Sequence, residues 1–211
     1  MEIDIVHPKI DEYLRLAAGP SPEVLEEMER EGAERDFPIV GPLCGRLLQL
    51  LARAIGARRV LEMGSGFGYS AIWLAEAVGP RGHVILTEGR RENAEQAREY
   101  LRRAGFAPRA HIYVGDAFDA LDRVEGEFDF VFVDVDKEQY PEAYRRARPR
   151  IRRGGILAFD NMLWSGRVLE GDEAADSRAI RELTRLLYED RGLATTIVPL
   201  RDGVSVSLVV S

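Results

Sequence analysis

The chain has 211 residues, a formal net charge of −7, 45% hydrophobic residues and 31% charged residues. That balance belongs to a folded globular chain and excludes a disordered or fibrous one, while the acidity disfavours a general binder of nucleic acid or of anionic membranes. A single cysteine, Cys44, closes no internal disulfide and builds no cysteine metal cluster, and Met1-Glu2-Ile3-Asp4 carries neither a basic nor an apolar leader, so a cytoplasmic enzyme is expected.

Residues 1–37 read as a helical arm and 38–211 as one α/β domain. Ile10, Leu14 and Ala17 share one face of a first helix. Ser21-Pro22-Glu23 signals a second, with Ser21 as N-cap and Pro22 in the first helical position. Pro38 and Pro42 bracket the opening of a third, carried by Leu43, Leu47, Leu50, Leu51 and Ala54 and ended by Gly56. Strands are then expected at 59–63, 83–88, 110–115, 128–134 and 155–160, alternating with helices near 69–78, 90–104, 117–123 and 138–151. Continuous apolar strands separated by helices fold into a parallel sheet covered on both faces. A helix over 174–190 follows. Two β-rich runs, 193–199 and 204–210, are joined by Arg201-Asp202-Gly203, and this Asp-Gly signal predicts an antiparallel hairpin that closes the sheet.

The first strand runs into Glu62-Met63-Gly64-Ser65-Gly66-Phe67-Gly68-Tyr69-Ser70. A dinucleotide fingerprint needs glycine where Tyr69 stands, so that reading fails. The charges also oppose it: Glu62 ends this strand and Asp134 ends the fourth, and two carboxylates repel a pyrophosphate. S-adenosylmethionine (SAM) carries a sulfonium and an ammonium and no phosphate, so it suits the same loop. Glu88 ends the second strand, where an acid can accept both ribose hydroxyls. Gly115-Asp116-Ala117 ends the third, where a carboxylate and a backbone amide can meet an adenine edge.

Strand five ends in Asp160-Asn161, and adjacent strands lie about 4.8 Å apart, so Asp134 and this pair can converge on one point. Two carboxylates and an amide oxygen favour Mg²⁺, with Mn²⁺ or Ca²⁺ as substitutes, and disfavour zinc. A turn cap is the plain alternative for Asp160-Asn161. His7, His83 and His111 fall in the arm and at two strand starts, the wrong edge of the sheet for a site.

Together, Glu62-x-Gly64-x-Gly66-x-Gly68-Tyr69-Ser70, Asp134-Val135-Asp136-Lys137 and Asp160-Asn161-Met162-Leu163-Trp164-Ser165-Gly166 resemble the cation-dependent O-methyltransferases. That family includes catechol O-methyltransferase and the caffeoyl-coenzyme A O-methyltransferases, and the similarity runs from about Pro38 to Asp202-Gly203. The resemblance implies a Rossmann-like class I methyltransferase fold, a mostly parallel seven-stranded sheet with a C-terminal antiparallel hairpin and helices on both faces. It implies metal ligands at Asp134, Asp160 and Asn161. It implies cofactor contacts at Val40, Glu62, Gly64, Ser65, Ser70, Glu88, Ala117 and Asp134, with Asp116 beside the adenine. It also implies Lys137 as general base next to Asp134, a small phenolic acceptor with vicinal hydroxyls, and a homodimer. Val135, Met162 and Thr184 depart from residues common in bacterial relatives, near or behind the acceptor pocket. Trp164 and Tyr140 either wall the aromatic acceptor or simply pack.

Only Lys9 and Lys137 among the 29 basic residues are lysines; the rest are arginines, which cannot act as bases at neutral pH. That contrast singles out Lys137. Some bacterial relatives methylate hydroxyuridine in tRNA, and Arg145, Arg146, Arg148, Arg150, Arg152 and Arg153 form a dense basic stretch. The plainer reading of that stretch is a solvated helix face paired with acids such as Glu142.

Overall fold

The computed structural model describes residues 3–169, 171 and 173–211. Seven strands form one sheet: β1 (Arg59–Met63), β2 (His83–Glu88), β3 (Ala110–Val114), β4 (Phe128–Val133), β5 (Ile151–Phe159), β6 (Leu193–Val198) and β7 (Val204–Val209), in the order β3-β2-β1-β4-β5-β7-β6. β1 to β5 run parallel, and β7 lies antiparallel to both β5 and β6. This is the sheet expected from the apolar runs and the Asp-Gly turn.

Side chains alternate along each central strand between two cores, because both faces of the sheet are covered. Val60, Val84, Leu86, Phe130 and Phe132 pack on one side under α2 (Glu23–Glu34), α3 (Gly41–Ala54), α4 (Tyr69–Ala77) and α5 (Arg91–Arg103). Leu61, Met63, Val131, Val133 and Phe159 pack on the other under α6 (Ala117–Arg123), α7 (Tyr140–Ala147) and α8 (Ala175–Glu189). The arm divides in two. α2 buries Leu25 and Met28 in the core, whereas α1 (Pro8–Ala18) buries nothing and leaves Ile10, Tyr13, Leu14 and Leu16 exposed. Among the described residues, no helix is long and apolar enough to cross a membrane.

Two local expectations are corrected. Pro22, not Ser21, occupies the N-cap of α2, and the Ser21 hydroxyl instead donates to Glu29 at 3.0 Å. A proline biases the residue before it toward extended backbone, and its own ψ of 144° keeps it outside the helix. The helix expected over 138–151 shrinks to α7, with one 3₁₀ turn before it (Lys137–Gln139) and another after it (Arg148–Arg150). Pro149 lacks the N–H needed to continue an α-helix. β5 accordingly begins at Ile151 rather than Gly155, and its register against β4 shifts between Phe128 and Phe130.

The strand order reverses at β1 and β4. The crevice beyond the carboxyl ends of those strands is where a ligand site is expected in an open α/β sheet.

Candidate active site

That crevice is a cleft of about 1170 Å³. Val40, Gly64, Ser65, Ser70, Glu88, Asp116, Ala117, Asp134, Lys137 and Asn161 all line it. Glu62 and Asp160 are fully buried beneath it. The structure therefore gathers the expected residues from six separate segments of the chain.

The loop after β1 is shaped by close contacts. Gly64 stands at φ +84°, and a Cβ there would lie 2.4 Å from the Asp134 carbonyl oxygen, so only glycine lets the ends of β1 and β4 approach this closely. At Gly66 (φ +54°) a Cβ would meet the Phe37 ring at 2.8 Å. Phe37 stacks edge-on against Phe67 and forms part of the cleft wall; nothing in the spacing of the sequence singled it out. The loop amides are largely committed. Gly64 N–H donates to Thr87 Oγ1 at 3.1 Å, Ser65 N–H to the Thr87 carbonyl at 2.9 Å, and Gly68 N–H to the Ser65 carbonyl at 2.9 Å. A pyrophosphate cradle needs such donors free, so the hydrogen bonding agrees with the charges in opposing one.

Acids surround this end of the cleft. The Ser70 hydroxyl donates to Glu62 Oε1, and Glu62 Oε2 is buried with no partner. Burial pushes the Glu62 carboxyl up to about 8; the Ser70 hydrogen bond opposes this, and the charges of Asp134 and Glu88 add to it. A buried acid with an unpartnered oxygen is the chemistry that receives a cationic group. Glu88 is held in place by the Arg90 N–H at 2.8 Å and Asn93 Nδ2 at 3.2 Å. Asp116 caps α6, accepting from Phe118 N–H at 2.8 Å and Asp119 N–H at 3.1 Å. Ala117 is then the first residue of α6, where a backbone N–H has no partner within the helix.

At the other end, Asp134 and Asp160 extend the paired register of β4 and β5, and Asp160 N–H donates to the Val133 carbonyl at 3.1 Å. Lys137 Nζ donates to Asp134 Oδ1 at 2.6 Å and lies over the rings of Tyr140 and Trp164 at 5.0 and 5.7 Å. Asp160 accepts from Arg201 Nη1 at 3.1 Å on Oδ2, while its Oδ1 is buried with no partner. Burial first, and then the charge of Asp134, push the Asp160 carboxyl above the usual carboxylate range, and Arg201 pulls it back. Asn161 adopts φ +53°, a conformation asparagine tolerates, and its Nδ2 donates to Asp202 Oδ2 at 3.1 Å. The amide oxygen is thereby turned away from Asp202. Two mutually repelling carboxylates, one with an orphaned oxygen, and an oriented amide oxygen fit a hard divalent cation. The set holds only two carboxylates, and no group of three or more His, Cys, Asp or Glu suited to a metal occurs among the described residues.

Trp164 lines the cleft, with its Nε1 donating to Asp176 Oδ2 at 3.0 Å. Tyr140 is instead a core residue whose hydroxyl donates to the Asp160 carbonyl at 2.9 Å. Arg201 and Asp202 act on the site although in sequence they spell only a turn. The three histidines stand apart: His7 caps α1 by accepting from Lys9 N–H, and the His83 and His111 rings meet at 5.8 Å at the opposite strand ends. Five of the six arginines of the basic stretch are engaged internally. Arg145 pairs with Glu182 at 2.6 Å, Arg146 with Asp122, Arg148 with Asp190 at 2.9 Å and Arg152 with Asp129, while Arg150 donates to the carbonyls of Leu121 and Gly126, each at 2.8 Å. Glu142 lies 3.9 Å from Arg146.

The family model described as O-methyltransferase matches residues 15–210. Catechol O-methyltransferase from Mycobacterium tuberculosis is 37% identical over 210 residues, covering 96% of each chain. Caffeoyl-CoA O-methyltransferase 1 from Eucalyptus globulus is 29% identical over 198 residues, covering 87% of this chain and 80% of the plant enzyme. Among solved structures, the O-methyltransferase of tomaymycin synthesis from Streptomyces achromogenes, in complex with SAM, aligns with a TM-score of 0.87 at 32% identity, covering 96% of both chains.

Proposed function

The chain belongs to the O-methyltransferase family, and on that premise we propose that it transfers the methyl group of SAM to one hydroxyl of a small aromatic acceptor bearing two vicinal hydroxyls, with a divalent cation held at the ends of β4 and β5. The observation that carries this reading is the pairing of Asp134 with Asp160 at adjacent strand ends, with an unpartnered buried oxygen on Asp160 and with Lys137 Nζ 2.6 Å from Asp134.

Asp134, Asp160 and Asn161 would hold the cation, Mg²⁺ in the first place and Mn²⁺ or Ca²⁺ as substitutes. When bound, it supplies the charge that acidifies an acceptor hydroxyl. SAM supplies an electrophilic methyl group. Val40, Gly64, Ser65 and Ser70 would hold its amino-acid end above Glu62, Glu88 would accept from the ribose hydroxyls, and Asp116 with the Ala117 N–H would meet the adenine. Asp134 holds Lys137 Nζ in the cleft, and Nζ in its uncharged form takes the proton from the acceptor hydroxyl as the oxygen displaces the sulfide. Trp164 and Val135 wall the space for the aromatic ring. Fixing two reactants in one cleft contributes through proximity and orientation. The internal pairing of the arginines from Arg145 to Arg152 supports a small molecule over hydroxyuridine in tRNA as the acceptor.

Catechol or caffeate and its monohydroxy counterpart should behave differently when supplied with methyl-labelled SAM. The dihydroxy acceptor is expected to be methylated at least a hundredfold faster, because only it offers two adjacent oxygens to a cation. Equal rates would rule out chelation of the acceptor.

Glu62 predicts a proton count. Its carboxyl, pushed up to about 8, holds a proton at pH 7 in the ligand-free protein, whereas a cationic ligand favours the ionised form. SAM binding near pH 7 should therefore release up to about one proton, and affinity should fall as pH drops below 8. Titration calorimetry in buffers of different ionisation enthalpy reads this directly. Glu62→Gln should bind without that release; an identical proton count in wild type and Glu62→Gln would remove Glu62 from the cofactor site.

A further inference from the structure

The turn between β6 and β7 does more than reverse the chain. Arg201 stands at φ +52°, a left-handed conformation that burdens any residue with a side chain. From there it donates Nη1 to Asp160 Oδ2, 3.1 Å away, beneath the cleft. Its neighbour Asp202 accepts from Asn161 Nδ2 at 3.1 Å and from Ser165 N–H at 2.5 Å, which fixes the turn against the end of β5. The other oxygen of Asp160 is buried and unpartnered. One oxygen of a fully buried carboxylate is thus committed to a tethered cation, and the other is left for something else.

We propose that Arg201 is a built-in counter-cation of the Asp134–Asp160–Asn161 set, holding Asp160 in place and weakening the set's affinity for a divalent cation. This rests on the reading of those three residues as the metal site. A buried carboxylate with no partner is costly, and Asp134 adds repulsion, so a fixed positive charge keeps the site intact before any metal arrives. The same charge then stands close to an incoming divalent cation, and in a partly buried site that repulsion is screened far less than in water. The pairing uses an arginine, which keeps its charge at every relevant pH and holds carboxylates through a planar fork. The strained backbone at this position strengthens the case: glycine would relieve the strain, so the arginine side chain is held there against local preference.

The test is Mn²⁺ binding to the full-length protein, followed by the electron paramagnetic resonance of free Mn²⁺, without SAM or acceptor. Arg201→Gly should bind Mn²⁺ at least tenfold more tightly than wild type, equivalent to about 1.4 kcal/mol, and Arg201→Lys should stay within about threefold of it. Arg201→Asn, which also tolerates the left-handed backbone, should reproduce the glycine result and guards against a folding defect in any one variant. Unchanged or weaker binding in folded Arg201→Gly and Arg201→Asn overturns the role of Arg201. Asp160→Ala separates this from the underlying reading: it should abolish Mn²⁺ binding, and if it binds as wild type does, the metal site itself is misassigned and the inference falls with it.

Discussion

Asp134→Ala is expected to lower the rate of methyl transfer at least a thousandfold, about 4 kcal/mol in activation free energy, while leaving the protein folded. The size follows from two losses at one position. The substitution removes one of two carboxylates at the candidate metal site, and it removes the acceptor that holds Lys137 Nζ at 2.6 Å. The fold should survive because the Asp134 side chain is 28% exposed and its structural hydrogen bond, from the backbone N–H to the Met63 carbonyl at 2.8 Å, is untouched. The charge of Asp134 also raises the Asp160 carboxyl, so its removal relieves repulsion between the two strand ends in the ligand-free protein. That relief is offset by the loss of the Lys137–Asp134 ion pair, so the melting temperature without ligands should change little. Initial rates at saturating SAM, together with a thermal melt, check both halves; a fully active Asp134→Ala enzyme contradicts the assignment.

Lys137→Arg is expected to lower kcat by about 10² to 10⁴-fold, the range of a lost general base. The substitution is informative because it keeps almost everything else. A guanidinium can still pair with Asp134 and lie over Tyr140 and Trp164, but it cannot take a proton near neutral pH. SAM affinity should be unchanged, since Glu62, Glu88 and Asp116 are unaffected, so the defect belongs in kcat and not in cofactor binding. A variant that keeps more than about a tenth of wild-type kcat removes Lys137 from proton transfer and leaves it as a partner of Asp134 alone.

How much of this was legible in the sequence follows from the range over which each signal acts. β1 and β2 span the expected residues, 59–63 and 83–88, because the apolar centres of strands buried on both faces, Val60-Leu61 and Val84-Ile85-Leu86, mark them directly in hydrophobicity. β5 starts four residues earlier than its apolar run because its opening segment, Ile151-Arg152-Arg153-Gly154-Gly155, mixes charge and glycine. Its pairing there is decided by the neighbouring β4, where the register slips. Ser21 and Pro22 show the same limit at a helix start, since the dipeptide signals a beginning without fixing which residue caps it. The site acids were legible because an acid at the carboxyl end of a buried strand is a strong local anomaly. Arg201, Asp202 and Phe37 were not. Arg201 and Asp202 read as turn residues, and their contacts with Asp160 and Asn161 span 41 residues of chain. Phe37 reads as a hydrophobe before a proline, and its place over Gly66 depends on how the arm folds back. In each case the partner is supplied by the fold rather than by neighbours in sequence.

Methyl transfer from labelled SAM to catechol, run in parallel with Mg²⁺ and with excess EDTA, tests the central claim most directly. Transfer with Mg²⁺ that falls at least a hundredfold in EDTA and returns on adding Mg²⁺ or Mn²⁺ is the predicted result. Undiminished transfer in EDTA by metal-stripped protein would contradict it.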